Sequence, residues 1–360
     1  MRFEDILEIK NGRNQKAVEN PNGKYPIYGS GGIMGYADDY ICDAQTVIVG
    51  RKGSINNPIF VDEPFWNVDT AFGLVANREI ILPRYLYYFC KRFDFERLNK
   101  AVTIPSLTKS DLLKIEIDIP DLAIQRHIVD LFIGVERLIA YRKQQLTELD
   151  NLIKARFVEM FGSYPINPMG WKTGTIRDVV ADVRYGSSRP AVDGGKYPYL
   201  RMNNITYGGE LDLSDVKRID VPENELAKCT VRRGDVLFNR TNSKELVGKT
   251  CVYDRDEMMV LAGFVIRVRV NDLALPEFLS AFLNTDFSKR TLFGMCKAAI
   301  GQANINAQEM QNIGIYIPPI ELQKEFVQFK YQIDKSKVVV QKALDEAQTL
   351  FDSLMQKYFG

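Results

Sequence analysis

Residues 121–162 read DLAIQRHIVDLFIGVERLIAYRKQQLTELDNLIKARFVEMFG, and residues 319–360 read PIELQKEFVQFKYQIDKSKVVVQKALDEAQTLFDSLMQKYFG. The two stretches align without a gap at a constant offset of 198, which sets Gln125 over Gln323, Leu146 over Leu344, Leu152 over Leu350 and Phe161-Gly162 over Phe359-Gly360. In the first copy Ile128, Phe132, Val135, Ile139, Leu146, Leu149, Ile153 and Met160 recur at alternating steps of three and four, with Arg142 interrupting once. Phe326, Phe329, Ile333, Val340, Leu344, Ala347, Phe351, Leu354 and Tyr358 do so in the second, where Lys337 is the polar interruption. An apolar seam of that period, held for five turns or more, predicts a coiled-coil helix in each copy. Each would be roughly 60 Å long at ~1.5 Å per residue. Gly162 and Gly360 fall where a left-handed C-terminal cap belongs.

The rest of the chain is organised around this repeat. Residues 1–120 are expected to form one domain and 121–162 the first spacer helix. Residues 163–318 hold a linker and a second domain, and 319–360 the second helix. The segments before each long helix share an order of elements. Lys24–Tyr28 (KYPIY) is echoed by Lys196–Tyr199 (KYPY), and Thr46–Gly50 (TVIVG) by Asp235–Asn239 (DVLFN). Pro83–Cys90 is echoed by Pro276–Leu283, and Ile115–Pro120 by Ile313–Pro318. Strands are expected at KYPIY, TVIVG, Ile59–Val61, Phe72–Ala76, Phe264–Val270 and Ile115–Pro120, and a helix over Pro83–Leu98. Glu8-Ile9-Lys10 reads as helix-surface charge. The fold class is α/β (α+β): two mixed α/β domains joined by two long antiparallel coiled-coil helices, with an internal pseudo-two-fold repeat.

Composition narrows the function. With 360 residues, 46% hydrophobic and 26% charged, the chain is long enough for two buried cores. Met1–Asp5 already carries acids and no apolar run reaches membrane-spanning length, so a cytoplasmic protein without membrane contact is expected. The five cysteines (Cys42, Cys90, Cys229, Cys251 and Cys296) lack CxxC spacing and read as reduced thiols. His127 is the only histidine, which excludes His-based triads and multi-histidine metal sites. Gly29–Gly35 has GxGGxxG spacing with no βαβ pattern after it, and reads as a hairpin turn, not a phosphate cradle. No metal or cofactor is expected in this chain. Lys and Arg number 15 against 16 acids in residues 1–120, and 20 against 18 in 163–318. A chain gripping DNA alone would show a basic surplus, so any nucleic-acid contact must use local loops or a partner's help.

Such loops occur at matching places. Arg51, Lys52, Ser54, Asn56 and Asn57 form one polar turn, with Arg240, Asn242, Ser243 and Lys244 as its counterpart. Arg13, Asn14 and Lys16 (with Asn11 and Gln15) stand against Arg184, Ser187 and Arg189 (with Tyr185 and Ser188), and Arg201, Asn203 and Asn204 make a further group. Forked Arg and Lys donors suit guanine, and bidentate Asn or Gln suits adenine, so these are candidate base-edge readers.

At these residues the sequence resembles the specificity subunits of type I restriction–modification enzymes. The likeness runs through KYPIYGSGGIMGY and TVIVGRKGS in the first half, and GDVLFNRTNSKELVGK and GQANIN in the second. IDIPDLAIQRHI, IYIPPIELQKEF and the junction FGSYPINPMGW carry it further. The resemblance implies two target-recognition domains, each reading half of a bipartite double-stranded DNA site, with the helix pair setting the spacer and docking partners. It implies two modification (methyltransferase) subunits bringing S-adenosylmethionine, and restriction (translocase/nuclease) subunits using ATP and Mg. The chain itself would be a non-catalytic DNA-specificity subunit. The competing classes are a free-standing enzyme and a coiled-coil adaptor or orphan specificity protein without its own DNA binding.

Overall fold

The structure, a computed structural model, describes residues 1–101, 103–296 and 303–360. It divides into two units, Met1–Lys143 with Gln341–Gly360, and Gln144–Val340.

In the first unit, α1 (Phe3–Ile6) leads into β1 (Leu7–Asn11), followed by β2 (Tyr25–Gly29), β3 (Gly32–Ala37), β4 (Thr46–Gly50) and β5 (Ile59–Val61). Then come β6 (Trp66–Asn67), β7 (Ala71–Ala76), α2 (Pro83–Arg92), a 3-10 turn (Phe95–Leu98), α3 (Lys109–Leu113) and the start of α4 (Leu122–Phe161). One sheet has the order β1-β7-β4-β5, antiparallel throughout. β4 is buried at all five residues, which is why it reads as an unbroken β-branched run and not an alternating one. A second sheet, β3-β2-β6, pairs β2 antiparallel with β3 and parallel with β6. The glycine run is therefore the hairpin joining β2 to β3, with Gly32 at φ +121° where other residues are strained.

Three expectations are corrected here. Glu8-Ile9-Lys10 lies on β1, not on a helix, since pairing with Val75, Leu74 and Gly73 of β7 claims its backbone. The helix from Pro83 ends at Arg92, and the chain continues as the separate 3-10 turn that Asp94 caps through Glu96 N–H. Residues 115–120 do not form a strand; residues 115–117 make a short antiparallel bridge to Met1–Phe3, centred on Glu116 and Arg2.

The second unit contains the rest of α4, then β8 (Lys172–Thr175), a 3-10 turn (Ile176–Val179), β9 (Val180–Tyr185), β10 (Tyr197–Leu200), a 3-10 turn (Met202–Asn204) and β11 (Lys217–Ile219). It continues through α5 (Glu223–Cys229), β12 (Thr230–Val231), β13 (Val236–Asn239), β14 (Thr241–Asn242), β15 (Thr250–Val252), β16 (Met259–Leu261) and β17 (Val265–Val270). Last come α6 (Pro276–Leu283), α7 (Asp286–Met295), β18 (Ala303–Asn304), α8 (Ala307–Gln311), β19 (Gly314–Ile317) and the first half of α9 (Ile320–Phe359). Its antiparallel sheet β9-β17-β13-β15 repeats β1-β7-β4-β5 strand for strand. The parallel pair β10–β16, with β11 antiparallel on the other side of β10, repeats β2–β6 with β3. Here the segment before the second long helix is a true strand, paired over four residues with β8; in the first unit the equivalent pairing shrinks to Met1–Phe3 against residues 115–117.

α4 and α9 pack together within both units. Phe132 meets Phe351 in the first, and Phe157 meets Phe326 in the second, each at 5.3 Å between ring centroids. Advancing 25 residues along α4 thus retreats 25 along α9, so the helices run antiparallel. Ile128, Phe132, Val135, Phe326 and Phe351 are buried, whereas Ile139, Leu146, Leu149, Ile153, Ile333, Val340, Leu344 and Leu354 are half-buried. A middle stretch made of two helices alone covers less of each side chain than ends that join a domain core. Lys337 stays in the seam by pairing with Asp150 at 2.6 Å and with Glu210. Gly162 caps α4 at φ +82°, as expected, but Gly360 does not take a positive φ; its N–H simply continues the helical pattern to Gln356 O.

The repeat is chemical as well as topological. Gln125 is fully buried; its Oε1 accepts from Leu82 N–H at 2.8 Å, and its Nε2 donates to Ile80 O and Pro120 O, both at 2.9 Å. Gln323 does the same with Leu275 N–H (2.8 Å), Leu273 O (3.0 Å) and Pro318 O (2.9 Å). Neither α2 nor α6 has a capping side chain of its own, so a glutamine from the long helix satisfies the N–H of the residue that precedes each.

Candidate nucleic-acid interface

The paired frame places two arginines alike. Arg51 follows β4; its N–H donates to Thr70 O (2.8 Å) and its C=O accepts from Leu107 N–H (2.9 Å). Arg240 follows β13; its N–H donates to Phe264 O (2.9 Å) and its C=O accepts from Ile305 N–H (2.9 Å). Their guanidinium groups are steadied alike. Arg51 Nη1 donates to Asp69 O at 3.5 Å with Phe72 5.8 Å away, and Arg240 Nη1 donates to Gly263 O at 3.4 Å over the Tyr185 ring at 4.9 Å. An aromatic ring and one weak carbonyl bond hold each fork without consuming it, which leaves donors for a ligand.

A second loop converges on the same strand connection in each unit. Arg13 N–H donates to Asn67 O (2.8 Å) in the first, and Ser187 N–H to Leu261 O (2.6 Å) in the second. The residue before each is a glycine that must be one: a Cβ on Gly12 would stand 1.8 Å from Val68 O, and one on Gly186 2.2 Å from Leu261 O.

Beyond this frame the units diverge. In the first, Arg13, Asn14, Lys16, Arg51, Lys52, Ser54 and Asn57 are exposed. Among the described residues, no carboxylate pairs with Arg13, Lys16, Arg51 or Lys52. Asn56 is used up: its Nδ2 donates to Asp94 (3.1 Å) and its Oδ1 accepts from Phe95 N–H (2.7 Å), closing the 3-10 turn. In the second, acids tether the arginines. Arg189 makes a two-pronged pair with Glu225 (2.7 and 3.2 Å), Arg201 meets Asp215 (2.8 Å) and Arg184 meets Asp182 (2.9 Å). Burial would push the Asp182 carboxyl up, but bonds from Arg267 and Arg184 hold it below the usual range. Asn204 is buried, accepting from Arg201 N–H and donating to Asp212 O and Asp215 O, so it folds its loop. Asn242 is likewise tied to Asn239 Oδ1 and to Ser243 N–H. Ser187 is buried, Asn203 and Lys244 are exposed, and of the GQANIN stretch Gly301 and Gln302 lie outside the described residues.

Several groups beside these loops carry no signal in the sequence. Tyr185, by sequence one member of a polar loop, carries Arg240. Lys289, Arg290 and Phe293 of α7, and Tyr207 after β10, flank the 240–248 turn. Apolar Ile33, Met34 and Tyr36 are exposed on β3. Among the described residues no cluster of His, Cys, Asp and Glu is suited to a metal, and no helix is long and apolar enough to cross a membrane. The five thiols are buried, and burial pushes those of Cys42 and Cys251 up to about 12.

The family model of the type I restriction modification DNA specificity domain matches residues 1–151 and 168–346, and the chain belongs to that family. Among similar proteins, the type I restriction enzyme EcoKI specificity subunit of Escherichia coli (strain K12) is 23% identical over 335 residues, covering 86% of this chain and 72% of that protein. The putative MjaX specificity subunit of Methanocaldococcus jannaschii is 24% identical over 196 residues, 53% of this chain and 46% of that one. The crystal structure of the S subunit of a type I restriction–modification system from M. genitalium covers this whole chain and 95% of its own, with a TM-score of 0.59 at 16% identity. A chain from a study of complex assembly and conformational transition of the type I system covers the whole chain and 96% of its own, with a TM-score of 0.61 at 17% identity. These structures share the fold.

Proposed function

We propose that this chain is the sequence-reading, non-catalytic subunit of a type I restriction–modification assembly. Each recognition domain reads one half of a bipartite DNA site. The helix pair sets the spacer and docks two modification subunits, which supply S-adenosylmethionine and methylate adenine; restriction subunits supply ATP-driven translocation and cleavage. The observation that carries the reading is the duplicated seat of Arg51 and Arg240, a forked donor at the same turn of the same sheet in both units. Around Arg51 we assign Arg13, Lys16, Lys52, Ser54 and Asn57 to the DNA surface. Around Arg240 we assign Asn203 and Lys244, and Arg184, Arg189 and Arg201 if their acids release them. The near-neutral charge fits a reader whose partners help clamp the duplex.

Mapping N6-methyladenine across the genome with and without this gene tests the reading. Loss of methylation at one two-part motif with a fixed gap is expected. An unchanged methylation map, with the modification subunits expressed, would contradict it.

A further inference from the structure

The turn that carries Arg240 continues into a groove of about 380 Å³ on the second unit. Lys244 and Val247 of the turn form one side, Lys289, Arg290 and Phe293 of α7 the other, and Tyr207 closes one end. Lys244 sits 4.2 Å from the Phe293 ring centroid and Lys289 5.2 Å from that of Tyr207. Among the described residues, none of these three cations pairs with a carboxylate. Glu245 also lines the groove, but its carboxylate accepts hydrogen bonds from its own N–H and from Ser243.

The groove is built and not merely crowded. Lys289 Nζ donates to Gly248 O at 3.0 Å, and the nearby Lys249, 7% exposed, donates to Met202 O at 2.8 Å. Gly248 takes φ +79°, and a Cβ there would meet Leu292 at 2.6 Å, so the turn lies flush on α7. Thr285 caps α7 through Ser288 N–H. Burial, with Lys249 and Lys154 adding repulsion, lowers the Lys289 ammonium to about 8. Three cations facing a single carboxylate, Glu245, leave the groove net positive, which costs stability unless an anion completes it.

We infer that this groove seats the DNA sugar–phosphate backbone beside the bases that Arg240 reads, with Lys244, Lys289 and Arg290 neutralising phosphates. The inference rests on the function proposed above. The cations are spread along an open cleft, which suits successive phosphates better than one compact anion, and the Tyr207 and Phe293 rings offer apolar walls to deoxyribose. It also answers a deficit. The second unit ties Arg184, Arg189 and Arg201 of its candidate loops to acids, whereas Lys244, Lys289 and Arg290 beside Arg240 remain untethered among the described residues. In the first unit the short helical turn at Phe95–Leu98 has the opposite dress, with Arg97 on Asp94 and, just beyond it, Lys100 on Asp111.

The test uses the full chain assembled with its modification subunits. Binding to a duplex carrying the mapped site, and to one with the second unit's half-site scrambled, is followed against salt. The Lys244→Gln/Arg290→Gln double variant, altered only at exposed side chains, should weaken binding to both duplexes alike. It should flatten the log K against log salt slope by about two, roughly 0.9 for each phosphate no longer neutralised. Lys289→Gln should flatten it by about one. An unchanged slope, or a weakening confined to the intact site, overturns the backbone assignment while leaving the recognition reading in place. If the wild-type assembly prefers neither duplex, the recognition reading falls, and this inference with it.

Discussion

The two units share a skeleton and differ in dress. Gln125 and Gln323 make the same three hydrogen bonds, and Arg51 and Arg240 hang from the same backbone pairs. Yet, among the described residues, the first unit leaves Arg13, Lys16, Arg51 and Lys52 of its loops without an acid, while the second ties its loop arginines Arg184, Arg189 and Arg201 to acids and gathers other cations on α7. What lies inside is constrained by packing and hydrogen-bond satisfaction, and survives duplication. What lies outside is free to diverge, and two halves reading different bases would have to diverge there.

Substituting the skeleton should show the likeness at its strongest. Gln125→Leu strands one buried N–H and two carbonyls, and Gln323→Leu strands their counterparts. At about 1–3 kcal/mol for each orphaned group, either change should cost at least roughly 3 kcal/mol. Denaturant unfolding should give similar losses from both; a large loss from only one would break the equivalence of the units.

The surface should respond unequally. Glu225→Gln frees Arg189 and removes a negative charge beside the proposed DNA path, so binding of the assembled complex should tighten by about two- to five-fold at low salt. Lys91→Gln, in the first unit's pair with Glu136 beside the long helix, should leave DNA affinity unchanged when measured beside it.

A further effect concerns Lys289. Because burial lowers its pKa from 10.5 to about 8, the unfolded chain holds a proton between those values that the folded chain has released. Stability from this group therefore rises with pH across that window, and its charge weighs most on the fold below about 8. Lys289→Met should have a higher melting temperature than the parent at pH 7, with the gap narrowing towards pH 10. A gap that widens with pH would contradict the assignment of a strained cation.

Much of the skeleton was legible because its signals are local or periodic. The gapless offset of 198 located both long helices, the unbroken TVIVG run matched β4, and Pro83 and Pro276 marked the starts of α2 and α6. Residues 115–120 misled because a strand needs a partner of some length: β8 gives β19 four paired residues, while Met1–Phe3 gives residues 115–117 only a bridge. The candidate site was legible as loops but not as side chains. Whether an asparagine or arginine is available depends on residues far along the chain: Asn56 is claimed by Asp94, Arg189 by Glu225 and Arg201 by Asp215. The α7 groove left no motif, since its cations come from two separated segments and its aromatic end from a third.

The central claim is that Arg51 and Arg240 occupy equivalent seats and read separate halves of one site. Methylome sequencing of cells carrying Arg51→Ala or Arg240→Ala tests it most directly. Removing a bidentate base pairing, worth about 1–3 kcal/mol, should make one base position degenerate in one half-site for the first change and in the other half-site for the second, with the gap unaltered. Degeneracy appearing in both halves after either single change would contradict it.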